Sequence, residues 1–192
     1  MSSQFNEQTF TIKKKILSLG GSEFQILNSS SQVVLFSKMK AFKLKEDIRL
    51  FTGSDMQTEL VNIHARTIFD ASATYDVTDS LTGTKIGALQ RQGLKSIIQD
   101  EWTILDANDQ PVGMIKEDST ALALVRRFLT NLIPQTFQIY YGNNVIGEMK
   151  QNVNPYSSKL VVDLTKDVQS QLDRRLAAAA GVLLCAVEGK QN

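Results

Sequence analysis

The chain has 192 residues, 42% of them hydrophobic and 21% charged, a globular balance that excludes wholesale disorder and fits one substantial domain. Its 21 Lys and Arg offset 20 Asp and Glu for a formal net charge of +1, without the basic excess that nucleic-acid-binding proteins gather on one face. The one cysteine, Cys185, permits no internal disulfide and reads as a small buried hydrophobe in a reducing compartment. MSSQFNEQTF at the N-terminus lacks the charged start and apolar run of a signal peptide, so a cytoplasmic protein is expected.

In chain order, TFTIKKKIL (Thr9 to Leu17) reads as a first strand. EFQILNSSSQVVLFSKMK (Glu23 to Lys40) reads as a hairpin with Ser-rich turn chemistry, and IRLFT (Ile48 to Thr52) and ELVNIHAR (Glu59 to Arg66) as two further strands. Three similar hairpins follow: TYDVTDSLTGTKIGALQR (Thr74 to Arg91), EWTILDANDQPVGMIKED (Glu101 to Asp118) and TFQIYYGNNVIGEMKQ (Thr136 to Gln151). Each has an aromatic residue, a β-branched residue two positions later, a polar turn, then Ile or Val followed by Gly. Alternation of apolar and polar positions, as at Trp102, Ile104, Val112 and Met114 or Ile115, is the period of half-buried strands. With KLVVDL (Lys159 to Leu164) the reading gives about twelve strands. STALALVRRFLTNLIP (Ser119 to Pro134) carries Leu122, Val125, Phe128, Leu129 and Leu132 at helical spacing, with Arg126 and Arg127 on the exposed side of an amphipathic surface helix. A second helix is expected from near Asp167 onward. No linker divides the chain, so residues 1–192 read as a single domain.

Ala177 to Val187 is apolar on every face, which places it in a bilayer or in the middle of a protein. The run spans about 16 Å, against roughly 30 Å of hydrocarbon, and extending it brings in Asp173, Arg174 and Arg175 or Glu188 and Lys190. A membrane span is therefore excluded and a core helix favoured. Barrels of about eight strands fill with their own side chains, whereas those of about eleven or more admit a central helix. The alanines suit such a helix, because small side chains let strands approach from all sides. The expected fold is mainly β: a closed antiparallel barrel of about twelve strands around a central hydrophobic C-terminal helix.

FTIKKKILSLGGSEFQI, the repeated hairpins, STALALVRRF and VVDLTKDVQSQLDRRLAAAAGVLL together resemble the LURP-one-related proteins. That family belongs to the tubby C-terminal-like superfamily, which includes the phospholipid scramblases. The resemblance covers about Thr9 to Glu188 and implies a twelve-stranded barrel around a hydrophobic C-terminal helix. It also implies, at superfamily level, a link to phospholipids, since tubby proteins bind phosphoinositide headgroups. No tubby headgroup motif aligns residue by residue. The stretch QNVNPYSSKLVVDLTKD holds Asp163 and Asp167 but no dense acidic run, which argues against a calcium-activated scramblase.

His64, the only histidine, has no nucleophile or carboxylate signalled beside it and reads as a strand residue. One His and one Cys leave no zinc site, and DANDQP (Asp106 to Pro111) reads as a hairpin turn, since it lacks the sixth-position glycine and distal glutamate of a calcium loop. No metal, cofactor or catalytic residue is expected. The basic clusters carry more: Lys38, Lys40, Lys43 and Lys45 fall near alternate positions and would share one face if extended, with Met39, Phe42 and Leu44 turned away. Lys13, Lys14 and Lys15 lie on the first strand, and Lys13, Lys15, Arg126 and Arg127 are secondary candidates. The plainer alternative is that such lysines keep a barrel soluble and discourage edge pairing. The expected function is a non-enzymatic binding module for anionic phospholipid headgroups through Lys38, Lys40, Lys43 and Lys45, at the periphery of a membrane. The alternatives are a protein-interaction or scaffold domain and, last, an enzyme whose site is assembled only by folding.

Overall fold

The computed structural model describes residues 3–17, 21–39, 47–66, 73–92, 101–118, 135–154 and 157–188. The expected surface helix, Ser119 to Pro134, lies outside them.

Twelve strands form one closed antiparallel barrel in sequential order: β1 (Thr9–Ile16), β2 (Ser22–Leu27), β3 (Val33–Met39), β4 (Asp47–Phe51), β5 (Glu59–Ala65), β6 (Thr74–Asp79), β7 (Lys85–Arg91), β8 (Glu101–Leu105), β9 (Pro111–Glu117), β10 (Thr136–Tyr141), β11 (Asn144–Asn154) and β12 (Ser157–Asp163). β1 pairs with both β2 and β12, which closes the sheet. One helix, α1 (Arg174–Glu188), runs through the middle. Leu176, Leu183 and Leu184 are 5%, 0% and 2% exposed, so the oily segment is enclosed by the chain's own strands.

The five hairpins β2–β3, β4–β5, β6–β7, β8–β9 and β10–β11 share a device. Each carries one extra residue early in its second strand: Val34, Leu60, Ile86, Val112 and Ile146. An extra residue in an antiparallel pair is a β-bulge, which bends and twists the strand as a closing barrel requires. It also shifts the inward phase by one, so Ile115 is buried while Met114 is 38% exposed. Gly87, Gly113 and Gly147 follow three of these bulges. A Cβ there would strike the backbone carbonyl of Leu105, Tyr140 or Asp163 on the neighbouring segment. The repeated Ile/Val–Gly pair is thus a bulge followed by a close strand approach.

All five hairpin turns lie at one end of the barrel, here the turn end. β1, β3, β5, β7, β9 and β11 finish at the opposite end, the link end, where α1 also finishes. Turn-end geometry rests on aspartates: Asp79 accepts from the N–H of Leu81 and Thr82, and Asp106 from the N–H of Asn108 and Gln110.

The helix starts at Arg174 rather than near Asp167. The Asp167 carboxylate accepts from the N–H groups of Gln171 and Leu172, folding 167–172 into a loop in which Ser170 takes φ 51°. Asp173 caps the helix by accepting from the Arg175 N–H at 2.9 Å. Inside the barrel, Gly181 gives α1 room beside Ile12, Leu160 and Val162 of β1 and β12.

Candidate functional site

Strand alternation separates the three lysines of β1. Ile12 and Lys14 face the interior, whereas Lys15 is exposed and Lys13 half-buried on the outer face. Lys14, 6% exposed, donates from Nζ to the Cys185 carbonyl at 2.8 Å. That carbonyl is in the last turns of α1, where a cation meets the negative end of the helix dipole. Lys14 therefore belongs to the core and not to a surface cluster.

On the outer face, Lys13 stands directly opposite Lys159 of β12 on one side and Gln25 of β2 on the other. Lys15 stands opposite Glu23, which in turn faces Lys38 of β3 with Nζ–Oε1 at 3.8 Å. Both partners of that last pair retain solvent contact, so it is worth a fraction of a kcal/mol, at most about 1. Lys13, Lys15 and Lys159 pair with no carboxylate among the described residues. Strands β12, β1, β2 and β3 thus bring Lys159, Lys13, Lys15 and Lys38 together on one outer face, toward the link end. Lys159 has no cluster around it in sequence; only its register opposite Lys13 reveals it. Met39 is buried beside outward Lys38, as alternation predicts. From β3 the chain runs on into Lys40, Lys43 and Lys45, which lie outside the described residues, as do Arg126 and Arg127.

Other ionisable groups are engaged with one another. Arg66, just past the end of β5, bonds both Asp76, at 2.6 Å, and Asp109 of the β8–β9 turn, while Lys85 bonds Asp109 at 2.6 Å. These donors hold both carboxyls below the usual carboxylate range, Arg66 acting chiefly on Asp76 and Lys85 chiefly on Asp109. Asp167, with a fully buried side chain, is 2.6 Å from the Arg174 guanidinium. Burial alone would raise its pKa, but Arg174 and the two backbone N–H donors outweigh it and hold the carboxyl low. His64 is exposed on β5, in register with Asp47 and Asp76. Asp47 is already bonded by Arg49 and Asn62, and Asp76 by Arg66. No group of three or more His, Cys, Asp or Glu suited to a metal occurs among the described residues.

Among the described residues the interior is lined by buried apolar side chains of the strands and α1. One hollow at the turn end, lined in part by Gln4, Phe5, Glu7, Phe10 and Arg174, has a volume of about 10 Å³, room for about one water molecule. No helix among the described residues is long and apolar enough to cross a membrane.

A closed twelve-stranded barrel that buries its own C-terminal helix, with Lys14 inside and Lys13, Lys15, Lys38 and Lys159 on its outer face, defines a protein of the tubby-like barrel class. The sequence model described as LURP-one-related matches residues 33–185, and the chain belongs to the LURP-one-related family. The X-ray structure of an Arabidopsis thaliana protein is similar in fold, with a TM-score of 0.53 over 97% of this chain and 96% of that one, at 12% identity. No curated protein matches in sequence. The matched segment begins at β3, so the basic strand β1 and its partner β2 precede it.

Proposed function

We propose that this protein is a non-enzymatic module that binds anionic phospholipid headgroups at a membrane surface, through Lys38 and the lysines that follow it at positions 40, 43 and 45. The observation that carries this reading is the register of β12, β1, β2 and β3, which gathers Lys159, Lys13, Lys15 and Lys38, with Glu23 the one carboxylate paired with them among the described residues. Lysines near an anionic bilayer contribute about 1 kcal/mol each, so four to six acting together give weak, salt-sensitive attachment. A barrel whose centre is occupied by its own helix offers outer surface, not an interior chamber, for recognition. That favours binding over catalysis.

Co-sedimentation with vesicles tests the reading. Pelleting is expected with phosphoinositide-bearing vesicles at low salt, reduced pelleting at moderate salt, and little with neutral phosphatidylcholine. Equal pelleting with neutral and anionic vesicles rules it out. A stoichiometric protein captured without lipid preference would favour the scaffold alternative.

A further inference from the structure

We infer that the protein docks on an anionic bilayer by the shoulder of its link end formed by β12 and β1, with Lys13, Lys15 and Lys159 over the headgroups and Ile16 entering between them. This rests on the headgroup reading above and adds to it an orientation and residues outside the 38–45 cluster.

Three observations converge. Lys13 and Lys159 are directly opposed on adjacent antiparallel strands, an arrangement that sets Cβ atoms about 5 Å apart and in which like charges repel. Nothing within the described protein relieves that repulsion, whereas a phosphate between the two ammonium groups would. Second, Ile16, the last residue of β1 and next to Lys15, is 72% exposed. An exposed isoleucine beside lysines with no carboxylate partner among the described residues is the pairing of cation and apolar side chain that a bilayer's interfacial zone accommodates. A nucleic-acid backbone or a flat acidic protein surface offers no apolar depth for it. Third, the two ends differ in charge chemistry. Asp79, Asp106, Asp163 and Asp173 accept backbone N–H bonds at or next to the turn end, where Asp79 and Asp173 also pair with Arg175. The β12–β1 shoulder thus carries lysines with no carboxylate partner among the described residues, while these capping aspartates lie at the other end. That distribution orients the molecule on a negative surface.

The full chain is compared with K13Q/K15Q/K159Q, with I16W and with a turn-end control, K166Q, on vesicles of phosphatidylcholine alone or with phosphatidylserine. Each lysine removed should weaken partition about 5-fold, on the order of 100-fold for three, with K166Q unchanged. I16W should give a blue-shifted emission on anionic vesicles only, against the constant signal of buried Trp102, which is 3% exposed. All the altered residues are partly or fully exposed, so thermal melts should stay near wild type, and I16W supplies an independent readout if the triple variant melts early. Wild-type pelleting that the triple variant matches, without a shift in I16W, overturns the docking surface and leaves the headgroup reading intact. Failure of the wild type to pellet with any anionic vesicle removes both. Pelleting that soluble RNA or an acidic peptide abolishes at low stoichiometry replaces the bilayer as partner.

Discussion

Three consecutive lysines meet three different fates because strand geometry assigns each a side. Lys14→Met removes the Nζ donor from the Cys185 carbonyl while keeping much of the side-chain volume. It should cost about 1–3 kcal/mol in urea unfolding, the range for leaving a buried partner unsatisfied. Lys13→Met and Lys15→Met should stay within about 0.5 kcal/mol. Equal losses at all three would mean that the register of β1 is wrong. Asp167 makes a sharper case, since its buried carboxylate holds Arg174 and two backbone N–H groups. Asp167→Asn leaves a buried cation uncompensated, at about 3–5 kcal/mol. The sign with pH follows from the lowered carboxyl. Its stabilisation is present above the unfolded-state pKa, near 4, and is lost as pH falls through the lower folded value. Wild-type stability should therefore fall below about pH 4, and Asp167→Asn should flatten that slope while Asp76 and Asp109 keep part of it.

Strands were legible at the level of the element because each pairs an alternating pattern with a polar turn, and that information is local. Bulges were legible only as a recurring Ile/Val–Gly pair without a meaning, since the carbonyl that forbids a side chain belongs to another strand. The consequence was an open choice between Met114 and Ile115 as the inward residue, which the Val112 bulge decides. The candidate site shows the same limit: the run of lysines after β3 is visible in one dimension, but Lys159 joins Lys13 only through the β1–β12 closure, across nearly the whole chain. The sequence places the helix start near Asp167, but that carboxylate ties down a loop through contacts no local pattern shows, and Asp173 does the capping. Two glycine substitutions test the bulge account. Gly113→Ala drives a Cβ into the Tyr140 carbonyl, a backbone atom that moves only with its strand, and should cost at least about 2 kcal/mol. Gly181→Ala meets first the Cδ1 of Ile12, the far end of a flexible side chain, and gains helix propensity of about 1 kcal/mol. Its net cost should be smaller, measured by the same denaturation midpoint.

For the whole molecule, the barrel and its helix are one folding unit. The inward faces of β1, β6, β7 and β12 rest on α1, and Ala177, Ala178, Ala179 and Ala180 are each under 5% exposed. Twelve strands enclose more volume than their own side chains fill, so an empty barrel would either hold a large dry void or collapse out of register. Ending the chain at Asp173 removes the entire central layer. The loss should exceed the total stability of an ordinary domain, about 5–15 kcal/mol. The truncated chain should show no cooperative thermal transition, bind a hydrophobic dye and lose near-ultraviolet signal from the Tyr75–Trp102 contact, whose rings lie 6.0 Å apart inside the wall. A cooperative melt with that signal retained would show that the wall stands alone. The helix would then be free to leave, and a membrane role for the oily segment itself would reopen. If the wall fails without it, the segment cannot be spared to enter lipid, and any contact with a bilayer has to be made from outside, by the lysines that face away from it.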